Sequence, residues 1–336
     1  MAENKLLGQE IVKKAASNVA RILAELDRIL VGRPELHKLV VIGILSRGHI
    51  LLEGLPGVGK TALIKTLSEL FGLSFSRVQF TPDLMPGDIL GSHILQQSED
   101  GNRQMIFQQG PVFTNILLAD EINRASPKTQ SALLEAMQEK SVTLMGTTRK
   151  LPDPFFVLAS QNPIELEGTY PLPEAQLDRF LFKLEVKSAD VNTLKTIITS
   201  RRRGEPPHAS FKISEEELKQ LFEVMDGIYL PDAVADYIAR LVSATSPSEN
   251  GAIKEVKEFV QYGASPRAAI AVAEAARAAA LIDGRPSVGF EDVQKVLIPA
   301  LNHRILLNYK AKFEALTPEL VLKKILTSVK ETSLDM

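Results

Sequence analysis

The chain has 336 residues, of which 45% are hydrophobic, so it can bury a sizeable core and is long enough for about two domains. Its 39 basic and 41 acidic residues leave a net charge of −2, which argues against a general polyanion-binding surface, although a local basic patch stays open. Because the chain contains no cysteine, disulfides, thiolate zinc sites and cysteine nucleophiles are excluded.

The amino-terminal residues predict helices and no export signal. They lack the apolar segment of a secretory signal, and no apolar run approaches the ~20 residues that a bilayer-spanning helix needs. We therefore expect a cytoplasmic protein without membrane insertion. Apolar residues recur at helical spacing between Ile11 and Leu30, and a second helix is predicted over Glu35–Leu45.

Residues 54–61 read Gly-Leu-Pro-Gly-Val-Gly-Lys-Thr, the phosphate-binding loop of nucleoside triphosphatases. The loop follows an apolar run, His49–Glu53, that predicts a buried strand, and it precedes a predicted helix, which is the context that the motif requires. We expect Lys60 to reach the β- and γ-phosphates and the Thr61 hydroxyl to bind Mg²⁺, while backbone N–H groups surround the phosphates. The predicted nucleotide-binding residues here are Leu55, Pro56, Gly57, Val58, Gly59, Lys60, Thr61 and Ala62.

Further strands and two hairpins follow the loop. Strands are predicted over residues 76–80, 115–119 and 155–159, and the last two have the continuous apolar character of buried parallel strands. An Asp-Gly pair between apolar segments predicts a hairpin insert over about residues 88–109, and a second hairpin is predicted over about 141–151. Residues 1–200 are therefore predicted to form an α/β domain with a parallel sheet and helices on both faces.

Polar residues follow two of the buried strands. Asp120 and Glu121 end one strand, and the next strand runs into Asn162. Ligands of open α/β sheets bind at the carboxyl ends of the strands, so we expect Asp120 to hold Mg²⁺ and Glu121 to polarise the attacking water. Asn162, which we favour over Gln161, would position that water, although an Asn-Pro pair can also simply start a turn.

Two arginines are candidates for contacting phosphate. Arg179 lies among apolar residues, which suits a transition-state arginine, but taken alone this position is better explained by a structural ion pair with Asp178. Arg267 is the second residue of a helix predicted to begin after Ser265, where a cation opposes the helix dipole, so an anionic partner is expected. That partner is either a phosphate or a nearby carboxylate. This helix belongs to a predicted all-α domain, residues 208–336, which follows a linker near residues 200–207.

The order of these motifs resembles that of AAA+ ATPases and, more narrowly, of the MoxR family. The resemblance covers nearly the whole chain. The stretches that carry it include Val31-Gly32-Arg33, Gln79-Phe80-Thr81-Pro82-Asp83-Leu84, Asp120-Glu121-Ile122-Asn123-Arg124-Ala125 and Gly168-Thr169-Tyr170-Pro171-Leu172-Pro173-Glu174-Ala175-Gln176-Leu177-Asp178-Arg179-Phe180.

The resemblance implies several roles. The all-α domain would be the lid, the first hairpin the helix-2 insert and the second the pre-sensor-1 insertion. Asn162 would be sensor 1, Arg179 the arginine finger and Arg267 sensor 2, while Val31 and Gly32 would contact adenine. The family implies ATP and Mg²⁺ as ligands, a ring, commonly a hexamer, and a client protein, in many cases one with a von Willebrand factor A domain.

Three functions compete at this point. The first is an ATP-hydrolysing chaperone that remodels its client protein, brings about its maturation, or inserts a metal cofactor into it. The second is a scaffold whose assembly depends on nucleotide and whose turnover is incidental. The third, ranked lowest, is a DNA-translocating motor, whose inserts should carry basic and aromatic residues. The first hairpin has Arg103 alone against Glu99 and Asp100, and the second has Arg149 and Lys150, so nucleic acid is not the expected partner. A GTPase is disfavoured because no Asn-Lys-x-Asp motif is found.

Overall fold

The computed structural model describes residues 7–55, 57–97, 103–163, 168–200 and 207–332. The elements up to residue 200 are, in chain order, α1 Gln9–Ile29, α2 Pro34–Leu45, β1 Ile50–Glu53, α3 Lys60–Phe71, β2 Phe75–Gln79, α4 Pro86–Leu90, β3 Gly91–Gln97, β4 Arg103–Gln109, β5 Ile116–Asp120, a 3-10 turn Ile122–Arg124, α5 Pro127–Glu139, β6 Ser141–Leu144, β7 Thr147–Lys150, β8 Phe156–Gln161, α6 Glu174–Leu177, β9 Phe182–Glu185 and α7 Val191–Ser200.

Five parallel strands form the central sheet in the order β2-β5-β8-β1-β9. The predicted strands correspond to β1, β2, β5 and β8. Strand β9 was not predicted, although its four residues alternate between apolar and charged, because this pattern is too short to stand out beside the continuous apolar runs of the central strands. Lys183 of β9 forms an ion pair with Glu53 of β1 at 3.1 Å, so this charge is matched on the neighbouring strand.

Alternate residues of the sheet enter two separate cores. Ile50 and Leu52 of β1 belong to a core shared with α1, α2 and α3, whereas Leu51 between them belongs to a core shared with α5. This follows from the two-residue period of a strand, which sends successive side chains to opposite faces. The apolar character of the central strands is thus explained by helices on both faces, as predicted.

Both hairpins are present, with one correction. Strands β3 and β4 pair antiparallel, and so do β6 and β7. The first hairpin begins at Gly91 rather than at residue 88, because Pro86 starts a short helix in which the Asp88 carboxylate accepts a hydrogen bond from Met85 N at 2.9 Å. The predicted Asp-Gly turn, within residues 98–102, lies outside the described residues.

The second region is mainly helical. Its elements are α8 Glu215–Asp226, α9 Asp232–Ser243, α10 Lys254–Phe259, β10 Val260–Tyr262, α11 Pro266–Ile282, α12 Phe290–Leu301, β11 Leu306–Leu307, α13 Tyr309–Phe313 and α14 Pro318–Ser328. The predicted capping box is confirmed, since Ser214 and Glu217 exchange hydrogen bonds at the start of α8. The antiparallel pair β10–β11 was not predicted and is an exception to the all-helical expectation.

The predicted domain limits, 1–200 and 208–336, stay predictions, because the linker residues 201–206 and residues 333–336 lie outside the described part. Helices α1 and α2 pack against α11, so the two regions share the larger core. Within the described residues, no helix combines the length and the apolar character that crossing a membrane requires.

Candidate nucleotide-binding site

The loop between β1 and α3 holds the predicted phosphate-binding residues. Gly57 and Gly59 have φ angles of 78° and 88°, in the left-handed region that favours glycine. A Cβ added at Gly57 would meet no atom within 4 Å, so this part of the loop has room for a ligand. Helix α3 begins at Lys60, so the positive end of its dipole lies at the loop. Pro56 lies outside the described residues.

Lys60 is buried, with 8% of its surface exposed, and its Nζ donates to the carbonyl of Gly54 at 2.7 Å. Burial lowers the pKa of Lys60, and the carboxylates of Asp120 and Glu121 act in the opposite direction. Lys60 begins the helix that follows β1, and the acidic pair ends β5, so one strand, β8, separates the two in the sheet. Thr61, the second residue of α3, is partly buried.

A cavity of about 460 Å³ adjoins the phosphate-binding loop. It is separate from a second cavity of about 370 Å³. The wall of the larger cavity is largely apolar, as a nucleotide base would require. The predicted residues that line it are Val31, Leu55, Gly57, Val58, Gly59, Lys60 and Ala62. Gly32 does not line this cavity. It contacts Thr193 of α7 instead, and Thr193 does line it.

The acidic pair lies at the carboxyl end of β5. Ser160 of the neighbouring strand β8 donates from its hydroxyl to Asp120 Oδ1 at 2.5 Å and accepts from Glu121 N at 2.9 Å. Glu121 has a φ of 56°, which is uncommon for a residue with a Cβ and indicates a constrained position. Ser160 thus fixes the Asp120 carboxylate and the main chain of Glu121.

Positive and amide groups also bind both carboxylates. Arg77 donates to Asp120 Oδ2 at 2.7 Å, and Gln79 donates to Glu121 Oε2 at 2.8 Å. Residues 77 and 79 share one face of β2, which pairs with β5, so strand geometry brings both to the acidic pair. Arg124, in the following 3-10 turn, donates to the same Glu121 oxygen at 3.0 Å.

Asn162 follows β8 and is buried, with 5% of its surface exposed. Strand β8 lies between β5 and β1 in the sheet. Lys60, the acidic pair and Asn162 are therefore brought together at one edge of three adjacent strands.

Arg179 and Arg267 lie elsewhere. Both line the cavity of about 370 Å³, together with Arg47 and Arg304, and none of the described residues of the phosphate-binding loop lines it. Arg179 donates to the carbonyl of Leu134 in α5 at 2.9 Å. The expected alternative, a pairing of Arg179 with Asp178, is wrong, because Asp178 pairs with Arg304 at 2.8 Å.

Sequence reasoning missed several residues of the site. Their positions depend on which strands are neighbours in the sheet, and no sequence motif contains that information. Arg77 and Gln79 could have been suspected, because they lie two residues apart on a predicted strand and therefore on the same face of it. Arg33 was quoted only for its resemblance, yet it donates to the carbonyl of Val58 in the loop at 2.5 Å. The missed residues are Arg33, Arg77, Gln79, Arg124, Ser160 and Arg304.

Comparison with known proteins gives consistent matches. The model of the ATPase family associated with various cellular activities (AAA) matches residues 49–182, and that of the AAA lid domain matches residues 253–325. The chain is 44% identical over 322 residues to Chaperone MoxR1 of Mycobacterium tuberculosis, covering 96% of this chain and 84% of that one. It is 32% identical to Protein MoxR of Paracoccus denitrificans, covering 89% and 92%. A crystal structure from Cytophaga hutchinsonii matches with a TM-score of 0.86 at 38% identity, covering 96% and 97%.

Proposed function

Because this chain belongs to the MoxR family of AAA+ ATPases, we propose that it hydrolyses ATP with Mg²⁺ and works as a ring. The energy of hydrolysis would serve to remodel a client protein, to bring about its maturation, or to insert a metal cofactor into it. The observation that supports this proposal most strongly is the strand order, which places the phosphate-binding loop with Lys60 after β1 and the acidic pair Asp120 and Glu121 at the end of β5, with only β8 between the two strands.

In the proposed reaction, Lys60 and the loop amides hold the phosphates, and Thr61 and Asp120 are the residues that would bind Mg²⁺. When bound, Mg²⁺ supplies charge neutralisation on the β- and γ-phosphates. Glu121 accepts a hydrogen bond from the attacking water, and Asn162 orients that water. The bonds from Gln79 and Arg124 hold Glu121 before this step.

Arg179 and Arg267 act, in this proposal, on the nucleotide of a neighbouring subunit. The cavity beside the loop is lined by residues between Leu30 and Leu63 and between Val186 and Ile197, and by none of the lid residues that the structure describes. A separate cavity holds both arginines, which suits a surface that faces the next subunit's triphosphate. A hexameric ring, a cytoplasmic location and a client with a von Willebrand factor A domain remain part of the proposal, on family grounds.

A subunit-mixing experiment tests this arrangement. Arg179→Ala alone should lower phosphate release by about 10³-fold or more, the contribution of an arginine finger, and Lys60→Ala alone should lose phosphate release because it loses nucleotide affinity. Mixed, they should regain a substantial part of the activity, because an Arg179→Ala subunit keeps its own loop and receives an intact arginine from its Lys60→Ala neighbour.

Lys65→Ala is the matched control, since Lys65 is an exposed lysine on the same helix α3. It should retain wild-type activity. A failure of every mixing ratio to restore phosphate release would contradict the proposed action of Arg179 between subunits.

A further inference from the structure

We infer that Arg304 of the lid is a positioning residue that fixes the segment carrying Arg179, so that this arginine reaches a neighbouring subunit's phosphate. The inference rests on the proposed function. Arg304 follows α12 and belongs to none of the predicted motifs, yet it lines the same cavity as Arg179 and Arg267.

The side chain of Arg304 is 4% exposed and is bound on all sides. Its Nε donates to Asp178 Oδ1 at 2.8 Å, and Nη2 donates to the carbonyls of Asp178 at 3.0 Å and Phe180 at 2.8 Å. Its Nη1 donates to the carbonyls of Leu181 at 3.3 Å and Ala300 at 2.6 Å. The guanidinium therefore binds the backbone on both sides of Arg179.

The two residues before Arg304 bind the same segment. His303 Nε2 lies 3.0 Å from the carbonyl of Phe180, and Asn302 Nδ2 donates to the carbonyl of Lys183 at 3.1 Å. The end of α12 thus holds residues 178–183 by their main chain, which ties the position of that segment to the position of the lid.

Asp178 connects this contact to the second arginine. Its other oxygen, Oδ2, accepts from Ser265 Oγ at 3.1 Å. Ser265 immediately precedes α11, and its hydroxyl makes no capping bond to that helix. Because Arg267 is the second residue of α11, Asp178 fixes the start of that helix relative to the segment that carries Arg179.

Arg179 itself depends on this framework. Among the described residues its Nε is buried without a hydrogen-bond partner, so the bond to Leu134 is the one side-chain hydrogen bond found for it. A lysine at position 304 would keep the charge but lacks the planar set of donors, so the segment would loosen. A displacement of about 1 Å in such a group lowers catalysis by about 100-fold.

The test compares Arg304→Lys with Arg285→Lys in the full chain. Arg285 pairs within the lid with Asp292, whose side chain is 0% exposed, and its bonds do not involve residues 178–183. For Arg304→Lys we expect kcat to fall by about 10- to 100-fold. The dissociation constant of a non-hydrolysable ATP analogue should stay within about twofold, because no described lid residue lines the loop cavity. Arg285→Lys should change neither quantity, even if its melting temperature falls.

Mixing Arg304→Lys with Lys60→Ala subunits should restore phosphate release. Three results would overturn the role of Arg304 while leaving the proposed function intact. They are an unchanged kcat, a loss of ATP-analogue affinity as large as the loss of kcat, and a failure of Lys60→Ala subunits to restore Arg304→Lys under conditions in which they restore Arg179→Ala. A wild-type chain without turnover overturns the proposed function as well. Asp178→Asn, which weakens the same contact, serves if Arg304→Lys does not fold, with the same expected result.

Discussion

Single residues at the candidate site are held by neighbours that are distant in the chain. Ser160 and Arg77 bind Asp120, and Gln79 binds Glu121. These three residues come from β2 and β8, the two strands that flank β5, and together they orient the acidic pair. Charge-assisted hydrogen bonds of this kind are stronger than neutral ones, and a bound cation would compete with Arg77 for Asp120. Lys60 is similarly engaged with the Gly54 carbonyl, which a phosphate oxygen would replace as its partner.

His49 illustrates a buried residue with a structural role. Its Nε2 lies 3.1 Å from the carbonyl of Met137, and its Nδ1 accepts from Val157 N at 3.0 Å. Burial lowers the pKa of His49 from 6.5 to about 4. The neutral ring therefore joins β1, α5 and β8.

The lowered pKa of His49 predicts a pH dependence of stability. Between pH 6.5 and about 4 the unfolded chain binds one more proton at this residue than the folded chain, so its contribution to stability is complete above pH 6.5 and is lost as the pH falls. The free energy of unfolding of His49→Gln should therefore fall less steeply than that of the wild type, by up to about 1.4 kcal/mol per pH unit.

Urea unfolding from about pH 7.5 to about pH 4.5 measures this difference in slope. His208→Gln, at an exposed histidine, is the control. Parallel curves for wild type and His49→Gln would contradict the assignment.

Among the elements, the turn between α1 and α2 and helix α7 together form one wall of the nucleotide cavity. Gly32 in this turn has a φ of 99°, and a Cβ at that position would overlap the side chain of Thr193 on α7. The glycine predicted from the family to contact adenine is thus required by close packing, and its effect on the nucleotide would be transmitted through Thr193.

Gly32→Ala should destabilise the chain by about 1–3 kcal/mol, because it adds both backbone strain and overlap. It should also weaken ATP binding, since α7 must shift. Urea unfolding and an ATP titration measure the two effects. Gly87→Ala, at a position without a positive φ and with nothing within 4 Å of an added Cβ, should leave both nearly unchanged. Equal behaviour of the two variants would refute this role of Gly32.

The two hairpins are also linked as elements. The Arg149 guanidinium of β7 lies over the ring of Phe107 of β4, 3.8 Å from its centroid. A cation–π contact of this kind contributes about 0.5–1 kcal/mol at an exposed site. It connects the two inserts, which the sequence predicts only as separate hairpins.

Elements with a strong local pattern could be predicted from the sequence, and those set by long-range contacts could not. The phosphate-binding loop, the apolar strand before Asp120 and the capping box at Ser214 are each determined by residues close in the chain. Strand β9 and the contacts of Arg304 with Asp178 depend on partners far away in sequence. For the same reason the sequence could identify Arg179 as a candidate but could not show that it lines a different cavity from the phosphate-binding loop.

At the scale of the whole molecule, the strand order determines what the site can do. It brings the ends of β1, β8 and β5 side by side, so Lys60, after β1, and the acidic pair, at the end of β5, lie at the same edge of the sheet. Arg179, before the lid, and Arg267, in the lid, line a second cavity on the same subunit. Under the proposed function one subunit carries two complementary parts of an active site, and this is the reason for proposing a ring as the working assembly.

The central claim is that Glu121 activates water for ATP hydrolysis at this sheet edge, and the most direct measurement compares phosphate release with ATP affinity for Glu121→Gln. We predict that the variant binds ATP with Mg²⁺ as the wild type does but turns it over at least about 100-fold more slowly, as expected for loss of a general base. Glu135→Gln, at an exposed glutamate of α5, should match the wild type. Turnover by Glu121→Gln within about twofold of the wild type would contradict the account.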